Sequence, residues 1–102
     1  MYKYPTKKQL KTIENLNNPR KLIEHIEKLW WTPKWGFSLK NGRDHLFRKK
    51  CLKLELHTGG WSGNEGIIAA LQKTHFWFLY WQRSDRGGHY YFEIPSGDLI
   101  LE

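Results

Sequence analysis

The stretch HTGGWSGNEG at 57–66 carries the residue types that most readily bind an anion. It places four glycines, a Trp, a Ser and an Asn between a strand-like run and a helix-like run. Glycines let backbone N–H groups approach an oxyanion, and the dipole of a following helix favours negative charge at that point. Ser62 and Asn64 would add side-chain donors, and Trp61 could stack on a base. The loop has no Lys, which excludes a P-loop of the Walker type.

The same stretch also has a purely structural interpretation. Ser62 and Glu65 have the spacing of a capping box, which predicts the start of a helix over about 64–74. In that case Glu65 satisfies the free amides of the first helical turn, and the loop is a βα turn with Trp61 folded onto the sheet. The sequence leaves both interpretations open.

A second stretch, WQRSDRGGHYY at 81–91, could clamp a phosphate or a carboxylate. Arg83 and Arg86 flank a turn that two glycines permit, and His89 returns on the next strand. Alternatively, the arginines are solvated at an exposed hairpin tip. Both loops follow the C-terminal ends of their predicted strands. They meet if those strands run in the same direction, and they lie apart if the strands are antiparallel neighbours.

Metal and catalytic chemistry have weaker support in the sequence. The five histidines form no close pair and no H-x-x-x-H motif, so we expect neither a metal nor a cofactor. A grouping of His57, Glu65 and His89 could perform acid–base hydrolysis as in small nucleases, although no nucleophile motif accompanies it. We therefore predict no catalytic residue, and we expect Cys51 to be structural.

The stretch KNGRDHLFRKKCLK at 40–53 carries six Lys or Arg against one Asp, and we expect its middle to be an exposed basic loop. Cations interleaved with His45 and Phe47 would suit non-specific contact with nucleic acid. A solvated loop that keeps the edge of a sheet soluble is the alternative.

Secondary-structure patterns indicate how these loops are positioned. Capping signals predict helices over about 6–16 and 19–31, with apolar residues at helical spacing. An alternating run from Trp35 and the dipeptide Asn41-Gly42 predict a hairpin. Alternation predicts half-buried strands ending at His57 and covering 89–94. The run over 76–82 is apolar on both faces, which predicts a central strand, and 99–102 is predicted to be a short extra strand or a docked tail. Among the tryptophans, we expect Trp31 and Trp61 at a functional surface, and we expect the other four in the core, namely Trp30, Trp35, Trp77 and Trp81.

The predicted fold is therefore a single compact α+β domain over 1–102. Two N-terminal helices precede a ββαββ arrangement, because two hairpins flank one helix. We expect an antiparallel sheet with the helices packed mainly on one face.

Motifs from most of the chain resemble a group of small phage and prophage proteins of unassigned function. The similar segments are TGGWSGNE at 58–65, RSDRGGHY at 83–90, KYPT at 3–6 and WWTPKWG at 30–36, whereas the segment 40–50 is not expected in that group. The resemblance implies a phage accessory role. Small phage accessory proteins commonly antagonise host defence by blocking a nuclease complex or by sequestering a signalling nucleotide.

Composition bounds the class of partner. The formal net charge of +7 favours an anionic partner, and aromatic residues make up 16% of the chain, which suits stacking as well as a core. A single cysteine excludes an internal disulfide and suits a reducing cytoplasm. The longest apolar run is too short to span a membrane, and the N-terminus lacks the apolar core of a signal peptide. We expect a cytoplasmic location.

The leading hypothesis is a non-enzymatic antagonist of host defence that binds a phosphate-bearing ligand, either a nucleotide or nucleic acid. An inhibitor that binds an acidic host defence protein is one alternative, and a small hydrolase is the other. The chain could form a homodimer. The predicted ligand-binding residues are Gly59, Gly60, Trp61, Asn64, Trp81, Arg83, Arg86, Gly88, His89 and Tyr91.

Overall fold

The computed structural model describes residues 4–99, and it has the predicted α+β class with a four-stranded antiparallel sheet. Its elements are α1 (Lys7–Asn15), α2 (Pro19–Leu29), α3 (Pro33–Gly36), β1 (Phe37–Arg43), β2 (Lys50–His57), α4 (Ser62–Leu71), α5 (His75–Tyr80), β3 (Trp81–Asp85), β4 (His89–Pro95) and α6 (Ser96–Leu99). None of the helices within 4–99 is long and apolar enough to cross a membrane. Of the tail predicted at 99–102, only Leu99 lies within the described residues, and it belongs to α6.

The first two helices begin where the sequence predicts. Thr6 and Gln9 form a capping box at α1, because the Thr6 hydroxyl accepts from the Gln9 backbone and the Gln9 side chain accepts from the Thr6 backbone. The Asn18 side chain caps α2 by accepting from the backbone N–H of Lys21 at 3.1 Å, and Pro19 occupies the first helical position. Both helices bury one apolar face.

The sheet has the strand order β1-β2-β4-β3, and every neighbouring pair is antiparallel. One face of its two central strands packs against the helices to form the core. The buried apolar residues of this core are Ile13, Leu22, Ile23, Ile26, Trp30, Leu54, Leu56, Ile67, Ile68, Ala70, Leu71, Phe76, Tyr80, Phe92 and Ile94. We call the other face of the sheet the open face. It carries the alternate residues of β2 and β4, which are His57, Glu55 and Lys53 paired with His89, Tyr91 and Glu93.

The prediction of a central strand over 76–82 is wrong. Thr74 begins a helix there, because its hydroxyl accepts from the backbone N–H of Trp77 at 3.2 Å. Phe76 and Tyr80, four residues apart, then face the core, whereas Phe78 is 86% exposed. A run that is apolar on both sides fits a short helix with an exposed apolar edge as well as it fits a buried strand. The strand that follows, β3, lies at the edge of the sheet.

The hairpin turn is also displaced from its predicted position. Asn41 and Gly42 lie inside β1, opposite Leu52 and Cys51, so they do not form the turn. The connection between β1 and β2 instead spans 44–49, where the carboxylate of Asp44 organises the backbone. A turn that is held by hydrogen bonds from one side chain is harder to predict from the sequence than an Asn-Gly turn, because it requires no particular dipeptide.

The helix α4 starts two residues before the predicted position. Its N-cap is Trp61, whose side chain makes no capping hydrogen bond, so the capping box predicted for Ser62 and Glu65 is not formed. The backbone N–H of Glu65 bonds to the carbonyl of Trp61 at 3.0 Å, as in a helix that has already begun. The loop before α4 is correspondingly shorter.

Strand directions decide whether the two candidate loops meet. Both β2 and β3 are antiparallel to β4, so β2 and β3 run in the same direction. Their C-terminal ends therefore lie at the same end of the sheet. The loop 58–61, which follows β2 and which we call the glycine loop, lies there beside the turn 86–88, which follows β3. We call this end of the sheet the glycine end.

Candidate ligand-binding surface

The glycine end is closed by direct contact between the two loops. The backbone N–H of Thr58 donates to the carbonyl oxygen of Gly88 at 2.9 Å, and Thr58 is buried. Gly88 has a φ of +83°, and a Cβ at this position would collide with the Thr58 hydroxyl. Only glycine fits this position, because both the backbone conformation and the close approach exclude a side chain.

Asn64, which was predicted to bind ligand, lies in the first turn of α4, and its side chain is buried against backbone groups. It is 1% exposed. Its amide oxygen accepts from the backbone N–H of Trp31 at 2.9 Å. Its amide nitrogen approaches the carbonyls of Trp31 at 3.3 Å and Thr58 at 3.4 Å. The side chain is thus occupied by backbone groups, and it ties the α2–α3 connection to the glycine loop.

Trp61 packs into an aromatic cluster instead of standing free for a base. Its ring stacks on Trp31 with centroids 4.2 Å apart and on Tyr4 with centroids 5.6 Å apart. The Ser62 hydroxyl lies 3.4 Å from the Tyr4 hydroxyl. The predicted roles of Trp61 as a stacking platform and of Trp31 as a functional surface are therefore replaced by packing of these rings on each other.

Trp35 takes the exposed position that the sequence analysis gave to Trp61. It lies in α3 and is 62% exposed, so its predicted place in the core is wrong. Its six-membered ring covers Gly59, where a Cβ would lie 3.0 Å from Trp35 Cζ3. Gly59 and Gly60 are exposed beside it, with φ values of +63° and +73°. The exposed aromatic surface at the glycine loop thus belongs to Trp35.

His57 and His89 are paired across β2 and β4 in register. Their Nδ1 atoms lie 2.7 Å apart, so one ring donates a proton to the other. Glu55 Oε1 lies 3.4 Å from His57 Nε2, on the far side of the His57 ring. The predicted His57–His89 grouping therefore exists, but the carboxylate beside it is Glu55 and not the predicted Glu65.

Arg83 lies over the ring of Tyr91 on the open face. The distance from Arg83 Cζ to the Tyr91 ring centroid is 4.3 Å, which is a cation–π contact. A guanidinium nitrogen of Arg83 also lies 3.2 Å from Asp85 Oδ2. Hydrogen bonding to Tyr91 and the charge of Asp85 raise the pKa of Arg83, which therefore keeps its positive charge. Arg83 is exposed and can reach a ligand.

Four residues from α3 and three strands form a continuous row across the sheet. Trp35 meets His57 edge-on with ring centroids 6.3 Å apart, and His57 meets Tyr91 edge-on at 6.0 Å. Tyr91 in turn carries Arg83. We call these four side chains the aromatic–cation row. A groove of about 500 Å³ adjoins the row on the open face and is lined by side chains that include Glu55, Arg83 and Tyr91, a size within the usual range for small-molecule sites.

The other predicted site residues lie farther along the β3–β4 hairpin. Trp81 stacks on Trp77 with centroids 6.1 Å apart, and its indole N–H donates to the Ser84 hydroxyl at 2.8 Å. It is 41% exposed, so its predicted core position is wrong, whereas Trp30 is buried as predicted. Arg86 is exposed at the β3–β4 turn.

The opposite end of the sheet, which we call the turn end, carries the exposed basic loop predicted within 40–53. The Asp44 carboxylate accepts backbone N–H bonds from Leu46 at 3.0 Å, Phe47 at 2.6 Å and Lys49 at 2.9 Å. Leu46 and Phe47 are 71% and 74% exposed. On the open face nearby, Glu93 lies 2.9 Å from His45 Nδ1 and 3.5 Å from Lys53 Nζ, so part of the positive charge of this region is paired.

A larger cavity, of about 780 Å³, lies on the helical side of the molecule. Its lining includes the carboxylates Glu14 and Asp98. Asp98 accepts a hydrogen bond from the Tyr80 hydroxyl at 2.7 Å, and burial together with this bond raises the pKa of Tyr80. This cavity suits an anionic ligand less well than the open-face groove does, because one lysine, Lys73, lines it against two carboxylates, whereas the groove has two Lys or Arg side chains against two carboxylates.

Metal and thiol chemistry find little support in the described part of the chain. Within residues 4–99 there is no cluster of three or more His, Cys, Asp or Glu side chains that could hold a metal ion. Cys51 is buried, and burial raises the pKa of its thiol, which makes it a poor nucleophile. The glycine end can offer an anion a guanidinium, imidazoles and aromatic faces.

Three residues of this surface were missed in the sequence analysis, and they are Trp35, Glu55 and Thr58. Alternation along β2 places Glu55 and His57 on one face, so that pattern could have identified the carboxylate. Trp35 and Thr58 depend on long-range packing and leave no local signal. Comparisons of the chain with protein-family models, with curated proteins and with solved structures found no match.

Proposed function

We propose that the protein binds a phosphate-bearing ligand, a nucleotide or a short single strand of nucleic acid, at the glycine end of the open face. The proposed binding involves no chemical conversion of the ligand. The observation that carries it is the contact between the two loops, in which Thr58 donates to Gly88. This contact places the exposed glycines 59 and 60, the histidine pair and Arg83 around one end of the sheet.

Charge supports an anionic ligand. The chain has a formal net charge of +7. Arg83 is held by its cation–π contact with Tyr91, so less side-chain entropy is lost when it binds a phosphate. The adjoining groove is also lined by Lys53, a second cation, and by the carboxylates of Glu55 and Glu93. Both cations lie beside a carboxylate, Lys53 at 3.5 Å from Glu93 and Arg83 at 3.2 Å from Asp85, but the strand register places Arg83 nearer the glycine end.

Aromatic surface supports a ligand that has a base. Trp35 is exposed beside Gly59 and Gly60, where its indole offers a flat apolar surface. Stacking of a base on an aromatic side chain contributes about 1–3 kcal/mol. The row from Trp35 to Arg83 would thus contact a base at one end and a phosphate at the other.

A protein that binds its ligand without converting it would act by sequestering that ligand. In a phage setting, which the resemblance of the TGGWSGNE and RSDRGGHY motifs implies, such a protein would withhold a signalling nucleotide from a host defence system or occupy a nucleic-acid site. This role is part of the proposal and depends on the identity of the ligand. A ligand-independent inhibitor of a defence complex would use the same exposed surface but would show no affinity for phosphate compounds.

Thermal-shift and calorimetric measurements with nucleotides, cyclic nucleotides and short oligonucleotides, in 150 mM salt, test the proposal. A ligand at a hundred times its Kd stabilises the fold by about 2.7 kcal/mol. Arg83→Ala and Trp35→Ala should each weaken binding by roughly tenfold or more. Lys8→Ala removes one charge from the exposed side of α1 and serves as the matched control, with unchanged affinity expected.

Three results would count against the proposal. The first is no stabilisation by any phosphate compound. The second is equal loss of affinity in Arg83→Ala and in Lys8→Ala, which would indicate non-specific attraction to a basic protein. The third is conversion of the bound compound, followed by chromatography, which would make the protein an enzyme.

A further inference from the structure

Glu55, His57 and His89 form a chain of contacts with a defined direction. Glu55 Oε1 lies 3.4 Å from His57 Nε2, and His57 Nδ1 lies 2.7 Å from His89 Nδ1. Both nitrogens of His57 thus face protein groups, Nδ1 in a hydrogen bond to His89 and Nε2 in an ion-pair contact with Glu55. Among residues 4–99, His89 has one ring nitrogen in a hydrogen bond, and its Nε2 is the outer end of the chain.

The Glu55 carboxylate and the contact between the two rings together favour one arrangement of the protons. An ionised carboxylate only accepts, so Glu55 favours a proton on His57 Nε2. A neutral His57 then has a lone pair on Nδ1, and His89 must donate its own Nδ1 proton to make the 2.7 Å contact. A neutral His89 is left with a lone pair on Nε2. The contact thus makes His89 Nε2 a proton acceptor.

The surroundings of His89 leave room at this nitrogen. In the adjacent turn, a Cβ added to Gly87 would lie 3.3 Å from His89 Nε2, so the glycine keeps space open there. The neighbouring charged and titratable groups are Arg83 and Asp85 on β3, Tyr91 on β4, and Glu55 with His57 on β2. The Asp85 carboxylate is paired with Arg83 at 3.2 Å.

We propose that Glu55 and His57 orient His89, an arrangement that we call the relay, so that its outer nitrogen, Nε2, accepts a proton and thereby selects a phosphomonoester as the ligand of this site. The proposal rests on the function proposed above and names its ligand class. Glu55 and His57 are positioning residues, and His89 contacts the ligand.

The preference for a phosphomonoester depends on the source of the proton that lies between the ligand and His89 Nε2. A phosphomonoester has a second pKa of about 6, so near that pH it supplies a P–O–H proton to the lone pair of His89. At higher pH the dianion binds only if one proton is taken up from solution, which then stays between the phosphate oxygen and His89. No bond to phosphorus forms or breaks. A phosphodiester carries no such proton and a single negative charge, so it gains less from the same contact.

Nitrogen-15 NMR of the ligand-free protein tests the relay by itself. We expect the Nε2–H tautomer for His57, the Nδ1–H tautomer for His89 and a scalar coupling between the two Nδ1 atoms across the hydrogen bond. In Glu55→Gln the preference of His57 should weaken and the tautomers should mix. The opposite tautomers, or no coupling, would overturn the relay whatever the protein binds.

Adenosine 5′-monophosphate and its methyl ester test the ligand class at pH 6.5. We expect the monoester to bind at least roughly tenfold more tightly, the effect of one charge-assisted hydrogen bond. Its affinity should fall as the pH rises to 8, because the shared proton must then come from solution. The side chain in His89→Gln cannot take up a proton, so in this variant the affinity of the monoester should no longer fall between pH 6.5 and 8, and its preference over the methyl ester should shrink to the part due to charge.

His75→Gln, an exposed histidine of α5 on the helical side, is the matched control and should keep the preference. Equal affinity of the two compounds for the unaltered protein would overturn the ligand class while leaving the proposed function intact. Binding of neither compound would overturn both, and the relay would then be judged on its ligand-free spectrum.

Discussion

Each end of the β2–β4 strand pair has its own polar side chain that bonds to backbone groups. The two side chains differ in burial. At the glycine end, Asn64 is buried and joins segments that are 33 residues apart. At the turn end, the bonds that the Asp44 carboxylate makes within residues 4–99 go to backbone N–H groups two to five residues away. The hydrogen bonds of Asn64 therefore depend on the whole fold, whereas those of Asp44 are local.

This difference bears on function. The turn end concentrates cations and exposed apolar side chains, which the sequence alone would favour as an anion-binding surface. The glycine end has fewer charges, but it joins four elements into one surface with fixed distances. A built site gives specificity through geometry, while a basic loop gives mainly salt-dependent attraction.

Gly88→Ala should have the largest effect on stability. The substitution combines a collision with Thr58 and a positive φ, and we expect a loss of about 2–5 kcal/mol. Gly60→Ala is the matched control, because its φ is also positive but no atom lies within 4 Å of the added Cβ. We expect about 1–2 kcal/mol for the control, from backbone strain alone. Urea denaturation measures both, and similar losses would show that the loop contact is not tight.

Asn64→Ala should rank second. It removes the 2.9 Å bond to the Trp31 backbone N–H and one of two donors to the Thr58 carbonyl, which still accepts from the Trp61 N–H, so we expect a loss of about 1–3 kcal/mol. Because these groups lie in two segments, the loss should appear in the global free energy of unfolding and in faster amide exchange at both segments. A loss below about 0.5 kcal/mol, or exchange confined to one segment, would contradict the long-range role of this side chain.

Protonation of Asp44 should have the smallest effect and should act at the turn end. Backbone N–H bonds, with that of Phe47 first, hold the pKa of Asp44 below its ordinary value of 3.8. A depressed pKa means that the carboxylate stabilises the turn above pH 3.8 and that this contribution is lost as the pH falls through the lower folded value. Amide shifts of 46–49 should therefore titrate with a midpoint below 3.8 in the unaltered protein and should not titrate there in Asp44→Asn. A midpoint above that value would contradict the bonding seen in the turn.

The amount that the sequence predicts differs between local and long-range features. Caps at Thr6 and Asn18 and the alternation in β4 are local, so these elements were predicted correctly. The helix at 75–80 was missed because its apolar run has no period that separates a short helix from a strand. The turn at 44–49 was missed because a single carboxylate, and not a turn dipeptide, builds it.

The candidate site divides in the same way. Gly88, His89, Arg83 and Tyr91 were placed in one site from their order in the chain. Trp35 was predicted in the core but is exposed, whereas Trp61 was predicted at a surface but stacks on other rings. Only packing decides which of the two indoles is covered. The carboxylate beside the histidine pair was assigned to Glu65, whereas the register of β2 and β4 places Glu55 there.

The most direct test of the account is a two-dimensional NMR titration of the protein with adenosine 5′-monophosphate in 150 mM salt. The account predicts that the shift changes concentrate at the glycine end, at Gly59, Gly60 and His89 and at the side chains of Trp35 and Arg83, with little change over 44–50. Changes that centre on 44–50, or no changes at all, would contradict it.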